Sequence, residues 1–279
     1  MFQVRRQTHY TSIPHRRLEP EAATARPLVI IPTYRERENV EKIIPAILQH
    51  VGFEILVVDD GSPDDTAGAV RTLADAFPER VHLIERAGKL GLGTAYIAGF
   101  TWALERDFTH IIEMDADFSH HPASLPRLVH ASRNADLVIG SRYIAGGRTV
   151  NWSPYRKVIS RGGSLYSRAL LGLPIRDLTG GFKCFRRHVL ESIDFGTVTS
   201  TGYAFQIELT WRAAQLGYHI VEVPITFSER LHGESKMSGD IFFEAMARVL
   251  QLRFGTQHRP TVDLDRLAVL ARPSRSTEV

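Results

Sequence analysis

Three short β-rich runs, each emptying into a polar loop, constrain this chain more than any other feature. Leu28-Val29-Ile30-Ile31 meets Pro32-Thr33-Tyr34-Arg35-Glu36-Arg37-Glu38-Asn39, and Glu54-Ile55-Leu56-Val57-Val58 meets Asp59-Asp60-Gly61-Ser62-Pro63-Asp64-Asp65-Thr66. The third, Ile111-Ile112-Glu113-Met114, meets Asp115-Ala116-Asp117. Such runs alternate with helical patterns from Leu28 to about Tyr143, which predicts an α/β domain: a mostly parallel sheet with helices on both faces. In a sheet wound this way the ligand crevice lies outside the carboxyl ends of the strands, so the three loops frame one site.

The Asp115-x-Asp117 pair carries the chemistry. A strand points residues i and i+2 to the same side, so a loop just past the strand end can bring both carboxylates onto one hard cation, as a metal-bound nucleotide diphosphate requires. A solvated pair capping the strand is the plainer reading of an isolated Asp-x-Asp. Here two further loops on the same edge stand beside it.

At 279 residues and 43% hydrophobic content the chain can bury one large α/β core, and a single domain is expected. The formal charge of +3 is not spread over it: residues 1–26 carry five arginines against two glutamates, which is the whole excess. The pI of 9.1 is therefore no argument for nucleic acid, although the basic segment could touch anionic lipid head groups. Residues 1–26 read as a flexible N-terminal tail and 257–279 as a C-terminal tail around a catalytic unit of 27–256. Cys184 is the single cysteine, which excludes an internal disulfide framework and fits a reducing compartment. No apolar stretch reaches the roughly 20 residues of a membrane span and no signal peptide is evident, so a soluble or peripheral protein is expected.

Beyond the third strand, Pro122 sits where a helix could start, Asp136 to Ile139 reads as a strand, and Gly140-Ser141-Arg142-Tyr143 follows it. Residues 144–163 read as a long functional loop. Glu222 to Phe227 is a late strand whose Pro224 favours an edge or bulge. A polar segment from Ser228 to Ser238 leads to a helix from about Asp240 to Phe254, with Phe242, Met246, Val249 and Leu250 along one face. Docking on the core is the default for that stripe and a membrane surface the competing use. No phosphate-binding G-x-x-x-x-G-K-[ST], nucleophile elbow or H-E-x-x-H is present. Gly91-Leu92-Gly93-Thr94-Ala95-Tyr96 follows the wrong strand for a dinucleotide fingerprint and reads as a helix start packed closely on the sheet.

Taken together, these blocks resemble the family 2 glycosyltransferases of the GT-A fold, and within them the dolichyl- or polyprenyl-phosphate mannose synthases. The resemblance runs from Pro32 to Met237, about three quarters of the chain. It is carried by the three loops above, by Gly91-Leu92-Gly93-x-Ala95, Gly140-Ser141-Arg142-Tyr143 and Gly181-Phe182-Lys183, and most specifically by Asn151-Trp152 with Arg156 and by Gly233-Glu234-Ser235-Lys236-Met237.

The resemblance implies a GT-A-type nucleotide-diphospho-sugar transferase fold and inverting transfer of mannose from GDP-mannose to a polyprenyl (dolichyl-type) monophosphate. Pro32, Tyr34, Glu36, Val58 and Asp60 would line the nucleoside pocket. Asp115, Ala116 and Asp117 would sit beside the diphosphate and hold Mg²⁺ or Mn²⁺, and Arg142, Arg156, Arg230 and Lys236 would bind phosphate groups of donor or acceptor. Where relatives often carry a glutamine as a further metal ligand, this chain has Ser119, followed by His120 and His121. Ser119 is expected to ligate weakly or through water, and either histidine is a candidate ligand or a helix-start residue. The implied location is the cytoplasmic face of a membrane, reached by the helix, the arginine tail or a separate anchoring protein. Two other readings stay open: a UDP-glucose or other sugar-nucleotide transferase, and a catalytically silent scaffold that binds a membrane protein.

Overall fold

A computed structural model describes residues 25–200, 202–229 and 239–255, without the side chains of 239–244. In chain order the elements are β1 (Pro27–Thr33), α1 (Arg37–Leu48), β2 (Glu54–Asp59), α2 (Thr66–Ala76), β3 (Val81–Glu85), α3 (Leu92–Leu104), β4 (His110–Glu113), α4 (Leu125–Ala131) and β5 (Leu137–Ser141). They continue as β6 (Arg148–Val150), α5 (Pro154–Leu171), β7 (Lys183–Arg186), α6 (Arg187–Glu191), α7 (Gly202–Gln215), β8 (Ile220–Pro224), β9 (Thr226–Ser228) and α8 (Gly239–Phe254). Seven strands form one sheet in the order β3-β2-β1-β4-β7-β5-β8, and β6 pairs with β9 apart from it. Every pair in the large sheet is parallel except those of β7, which runs antiparallel to both β4 and β5.

The period-2 alternation of strand side chains builds two apolar layers. Leu28, Ile30, Leu56, Val58 and Ile111 point to one face, where Tyr96 and Phe100 of α3 and Phe205 of α7 cover them. Val29, Ile31, Ile55, Val57 and Ile112 point to the other, under Val40, Ile43 and Ile44 of α1 and Val70 of α2. Close helix-on-sheet packing at α3 depends on glycine: a Cβ on Gly99 would lie 2.7 Å from Ile30 Cγ2. The Gly91 segment does start a helix, as expected, but Gly93 packs on the Phe205 ring of α7 rather than on the sheet.

Three expectations need correction. Residues 144–163 are not a continuous loop, because β6 lies inside them and α5 begins at Pro154. Ser153 caps that helix by accepting the Arg156 N–H, and Pro154 occupies its first turn, where a missing N–H costs nothing. Gly162 and Gly163 mask the helical pattern in the sequence. The late strand is also two strands: β8 ends at Pro224 on the sheet edge, and β9 crosses to pair with β6. The expected stripe on α8 splits, since Val249 is fully buried with Leu252 while Leu250 is 44% exposed. Docking on the core is what the helix does with Val249. The side chain of Phe242 and the tails 1–24 and 256–279 lie outside the described residues.

Candidate active site

The ends of β1, β2 and β4 share one edge, and side-chain hydrogen bonds stitch the loops after β1 and β2 together. Thr33 Oγ1 donates to Asp59 Oδ1 (2.8 Å), the Arg35 N–H to Ser62 Oγ (3.0 Å) and the Glu36 N–H to Thr66 Oγ1 (3.1 Å). Pro32, Tyr34 and Glu36 are half-buried on this rim, with Lys89 Nζ 4.8 Å from the centre of the Tyr34 ring. Asp60 and Val58 are placed differently from the sequence expectation. Asp60 accepts the N–H groups of Leu90 and Gly91 and ion-pairs with Arg86 at 3.1 Å, so it fixes the loop before α3. Val58 lies wholly within the core, because alternation along β2 turns it inward.

Past β4 the chain makes a tight turn through Phe118, whose φ is +60°. Asp117 is buried and its Oδ1 accepts the Ser119 N–H at 3.0 Å, whereas the Asp115 side chain is 34% exposed. Ala116 is buried in the apolar layer rather than open to a diphosphate, so what it adds is the turn itself. Ser119 Oγ is buried without a hydrogen-bond partner, the kind of orphaned oxygen a hard cation or its water would satisfy. Among the described residues no group of three or more His, Cys, Asp or Glu could hold a metal by itself. The donor set fits a divalent ion that takes its other ligands from diphosphate and water, as Mg²⁺ and Mn²⁺ do at nucleotide sites. The histidines go to structure. His120 Nδ1 accepts the Asp115 N–H while its ring stacks on Phe182, and His121 caps the short helix at Pro122.

Asp115 also opens onto a second space, a cleft walled by α5, α7 and α8 and lined by Arg142, Trp152, Arg156, Tyr203 and Met246 among others. Arg156 lies over the Trp152 ring at 4.2 Å, gives one Nη1 bond to Glu229 (3.3 Å) and keeps a buried Nε with no partner. Arg142, expected to bind a phosphate, is held on one side by the protein. Its Nε and Nη2 are held by Asp177, with Thr179 as a further Nη2 partner, which leaves Nη1 as the edge it can turn to the cleft. Burial works against its charge, but Asp177 outweighs burial and raises its pKa further above the ordinary range.

Behind the Asp115 turn sits a buried polar group. Glu113 on β4 stands opposite Lys183 on β7, and Lys183 Nζ donates to the Gln206 backbone carbonyl at 2.5 Å. Burial pushes the Glu113 carboxyl up, with Lys183 opposing, and pushes the Lys183 ammonium down, with Glu113 opposing. Lys183, in the Gly181-Phe182-Lys183 block, is thus a buried partner of Glu113 and of the Gln206 carbonyl. Burial also pushes the Cys184 thiol up to about 12, which removes it as a nucleophile.

Arg230 and Lys236, expected to bind phosphates, lie outside the described residues. Sequence reasoning missed Lys89, Asp177, Thr179 and Glu229, none of which stands in a block that announces it. Asp177 comes after the α5 cap and meets Arg142 only through the fold.

A family model described as "Glycosyl transferase family 2" matches residues 28–194, and those residues hold the carboxylate turn, Arg142, Arg156 and Lys183. The chain belongs to that family. It is a glycosyltransferase of the GT-A fold. The polyprenol monophosphomannose synthase of Mycolicibacterium smegmatis is 53% identical over 231 residues, 82% of this chain and 87% of that protein. The undecaprenyl-phosphate mannosyltransferase of Micrococcus luteus is 52% identical over 225 residues, 80% of this chain and 92% of that protein. Among solved structures, glucosyl-3-phosphoglycerate synthase from Mycobacterium tuberculosis, in complex with Mn²⁺, UDP and glucosyl-3-phosphoglycerate, matches with a TM-score of 0.60. It covers 83% of this chain and 80% of its own at 21% identity, a likeness of fold alone.

Proposed function

We propose that this transferase moves mannose from GDP-mannose to the phosphate of a polyprenyl monophosphate, with inversion at the anomeric carbon. The observation that carries the reading is that Asp115 lies both in the carboxylate turn and on the wall of the cleft holding Arg142 and Arg156. A donor diphosphate at the turn and an acceptor phosphate in the cleft would then meet at Asp115. The two relatives above half identity, both named for polyprenol or undecaprenyl-phosphate mannose transfer, support the same acceptor class.

The chemistry needs no strong base. A monophosphate ester has a second pKa of about 6, so near neutral pH the acceptor is already an oxyanion. Its oxygen forms the new bond to the anomeric carbon as the bond from that carbon to the diphosphate oxygen breaks, and no proton has to be placed. Arg156, with its unpartnered Nε, holds the acceptor in line, and Arg142 offers Nη1 from a position fixed by Asp177. Asp115, Asp117 and Ser119 would hold Mg²⁺ or Mn²⁺, which when bound supplies Lewis-acid stabilisation of the departing diphosphate. Tyr34, Glu36 and Lys89 form the rim on which the nucleoside would rest.

No helix among the described residues is long and apolar enough to cross a membrane, so a lipid acceptor calls for peripheral contact, with the cytoplasmic face as the side where sugar nucleotides are found. The unit spanning 27–256 would carry the activity. Initial rates with labelled GDP-mannose and UDP-glucose in direct competition, on a short-chain polyprenyl phosphate, test the reading. Preferential mannose labelling of the lipid is expected. Faster labelling from UDP-glucose would overturn the donor, and no labelling from either would favour a silent scaffold.

A further inference from the structure

A file of packed rings joins the carboxylate turn to the arginines of the cleft. His120 reaches back along the turn so that its Nδ1 accepts the Asp115 N–H at 3.2 Å. Aromatic side chains hold the same ring: Phe182 stacks on it with 4.8 Å between ring centres, and Phe227 of β9 meets it edge-on at 5.1 Å. Phe227 in turn meets Trp152 edge-on at 5.2 Å, and the Arg156 guanidinium lies over the Trp152 ring at 4.2 Å. Arg142 stands beside the same file, 5.2 Å from the centre of the Phe227 ring. None of the four rings is more than 8% exposed. Backbone pairing follows the same route. His120 bridges Phe227, the Ser228 N–H donates to the Ser119 carbonyl at 3.3 Å, and β9 pairs with β6, which ends two residues before Trp152.

Packing alone does not account for the residue types at the two ends of this file. A phenylalanine at position 120 would fill the stack without placing ring nitrogens inside it. A phenylalanine at 152 would spare an indole Nε1 that is buried without a hydrogen-bond partner among the described residues. What histidine adds is the acceptor for the Asp115 N–H, and what tryptophan adds is the ring face best suited to a guanidinium. Each end is therefore chosen for the group it holds, and apolar Phe227 spans the space between.

We propose that His120 is a positioning residue for both halves of the site: its Nδ1 sets the Asp115 turn, and its ring, through Phe227 and Trp152, sets where Arg156 stands. The inference rests on the reading of Asp115 as a metal carboxylate and Arg156 as the acceptor's arginine, and it adds the part that fixes their separation. Close-packed rings yield little, so such a strut keeps a set distance between the departing diphosphate and the incoming phosphate.

Two substitutions separate the atom from the ring. His120→Phe keeps a ring and removes the acceptor, whereas His120→Asn keeps an acceptor oxygen and removes the ring. The first readout is Mn²⁺ affinity of the full-length protein with GDP and, separately, with UDP, taken from the electron paramagnetic resonance signal of the free ion. The second is the emission of Trp152 without any ligand, in protein whose other two tryptophans are replaced by Trp102→Phe/Trp211→Phe. His120→Phe should weaken Mn²⁺ binding by about 10- to 100-fold, the usual cost of losing a group that orients a metal ligand, and leave the Trp152 emission as in wild type. His120→Asn should hold Mn²⁺ nearly as well as wild type yet shift the emission to the red, although two ring contacts separate position 120 from the indole. At saturating metal the KM for a short-chain polyprenyl phosphate should rise in His120→Asn and not in His120→Phe.

A residue that merely fills the core would move both readouts together in each variant, in step with melting temperature, and that result would overturn the proposal. So would unchanged Mn²⁺ affinity in His120→Phe or unchanged Trp152 emission in His120→Asn. A wild type that takes up no Mn²⁺ with either nucleotide would overturn the metal reading and the proposal with it. Normal uptake by wild type and by both variants would overturn the proposal alone.

Discussion

Asp177 grips Arg142 by both edges, with Nη2 2.6 Å from Oδ1 and Nε 2.8 Å from Oδ2, and also accepts the Arg142 backbone N–H. Neither residue is more than 7% exposed. Breaking a buried pair of this kind from one side leaves an uncompensated charge, which typically costs about 3–5 kcal/mol, whereas replacing both partners with apolar groups is often close to neutral. Asp177→Asn should therefore lower unfolding stability by about 3 kcal/mol or more, and Arg142→Met/Asp177→Leu should recover much of that loss. If Arg142 serves the acceptor, the double variant stays slow although it is folded. Denaturant titration and initial rates separate the two effects, and a double variant that is fully active would confine Arg142 to structure.

Asp117 is buried at the carboxylate turn with Oδ1 on the Ser119 N–H. Asp117→Asn can keep that hydrogen bond while removing a charge from a hard-cation site, so turnover should collapse with the fold intact. Ser119→Ala deletes an oxygen that has no protein partner and should cost less rate, with a raised metal requirement. Metal titrations of chelator-stripped protein give the readout. Near-normal, chelator-resistant activity in Asp117→Asn would remove the metal from this site.

Arg156 combines stacking on Trp152 with a planar fork, and lysine offers neither. Arg156→Lys should thus lose about 10²- to 10³-fold in rate, the usual cost of one well-placed stabilising group, with little change in melting temperature. Were the arginine only an ion pair with half-exposed Glu229, the change would be small, since such pairs contribute about 0–1 kcal/mol. Rates of Arg156→Lys and Glu229→Gln, measured side by side, decide between the two.

What was legible in the chain followed local rules. The three strands and their loops were readable because apolar runs bounded by turn residues have few other uses, and all three strand ends do reach one edge. Asp115 and Asp117 stood out because their spacing is chemical. The antiparallel β7 was not readable, because Lys183-Cys184-Phe185-Arg186 shows no local sign of its direction and is set by its neighbours β4 and β5. Nor was α5, whose Gly162-Gly163 pair masks the helical pattern, so that residues 144–163 read as a loop. Burial also sets side chains that the motifs alone do not place. Val58, expected to line the nucleoside pocket, turns inward by strand alternation, and Arg142 is held on one side by an aspartate 35 positions away.

One glycine of α3 and one of α5 give the last prediction, with opposite signs. A Cβ on Gly99 would stand 2.7 Å from Ile30 Cγ2 and 3.0 Å from its Cδ1, and Ile30 is fully buried in β1, with little room to yield. Gly99→Ala should therefore overpack the α3–sheet contact and destabilise by about 1–3 kcal/mol. Gly162 sits inside α5 with nothing within 4 Å of a new methyl group, so alanine there removes only the entropic cost of glycine in a helix. Gly162→Ala should stabilise by about 0.5–1 kcal/mol. Thermal or urea unfolding of both variants under one set of conditions makes the comparison. Equal effects of the same sign would mean that the space around these two positions is not what separates them, and the close seating of α3 on β1 would lose its support.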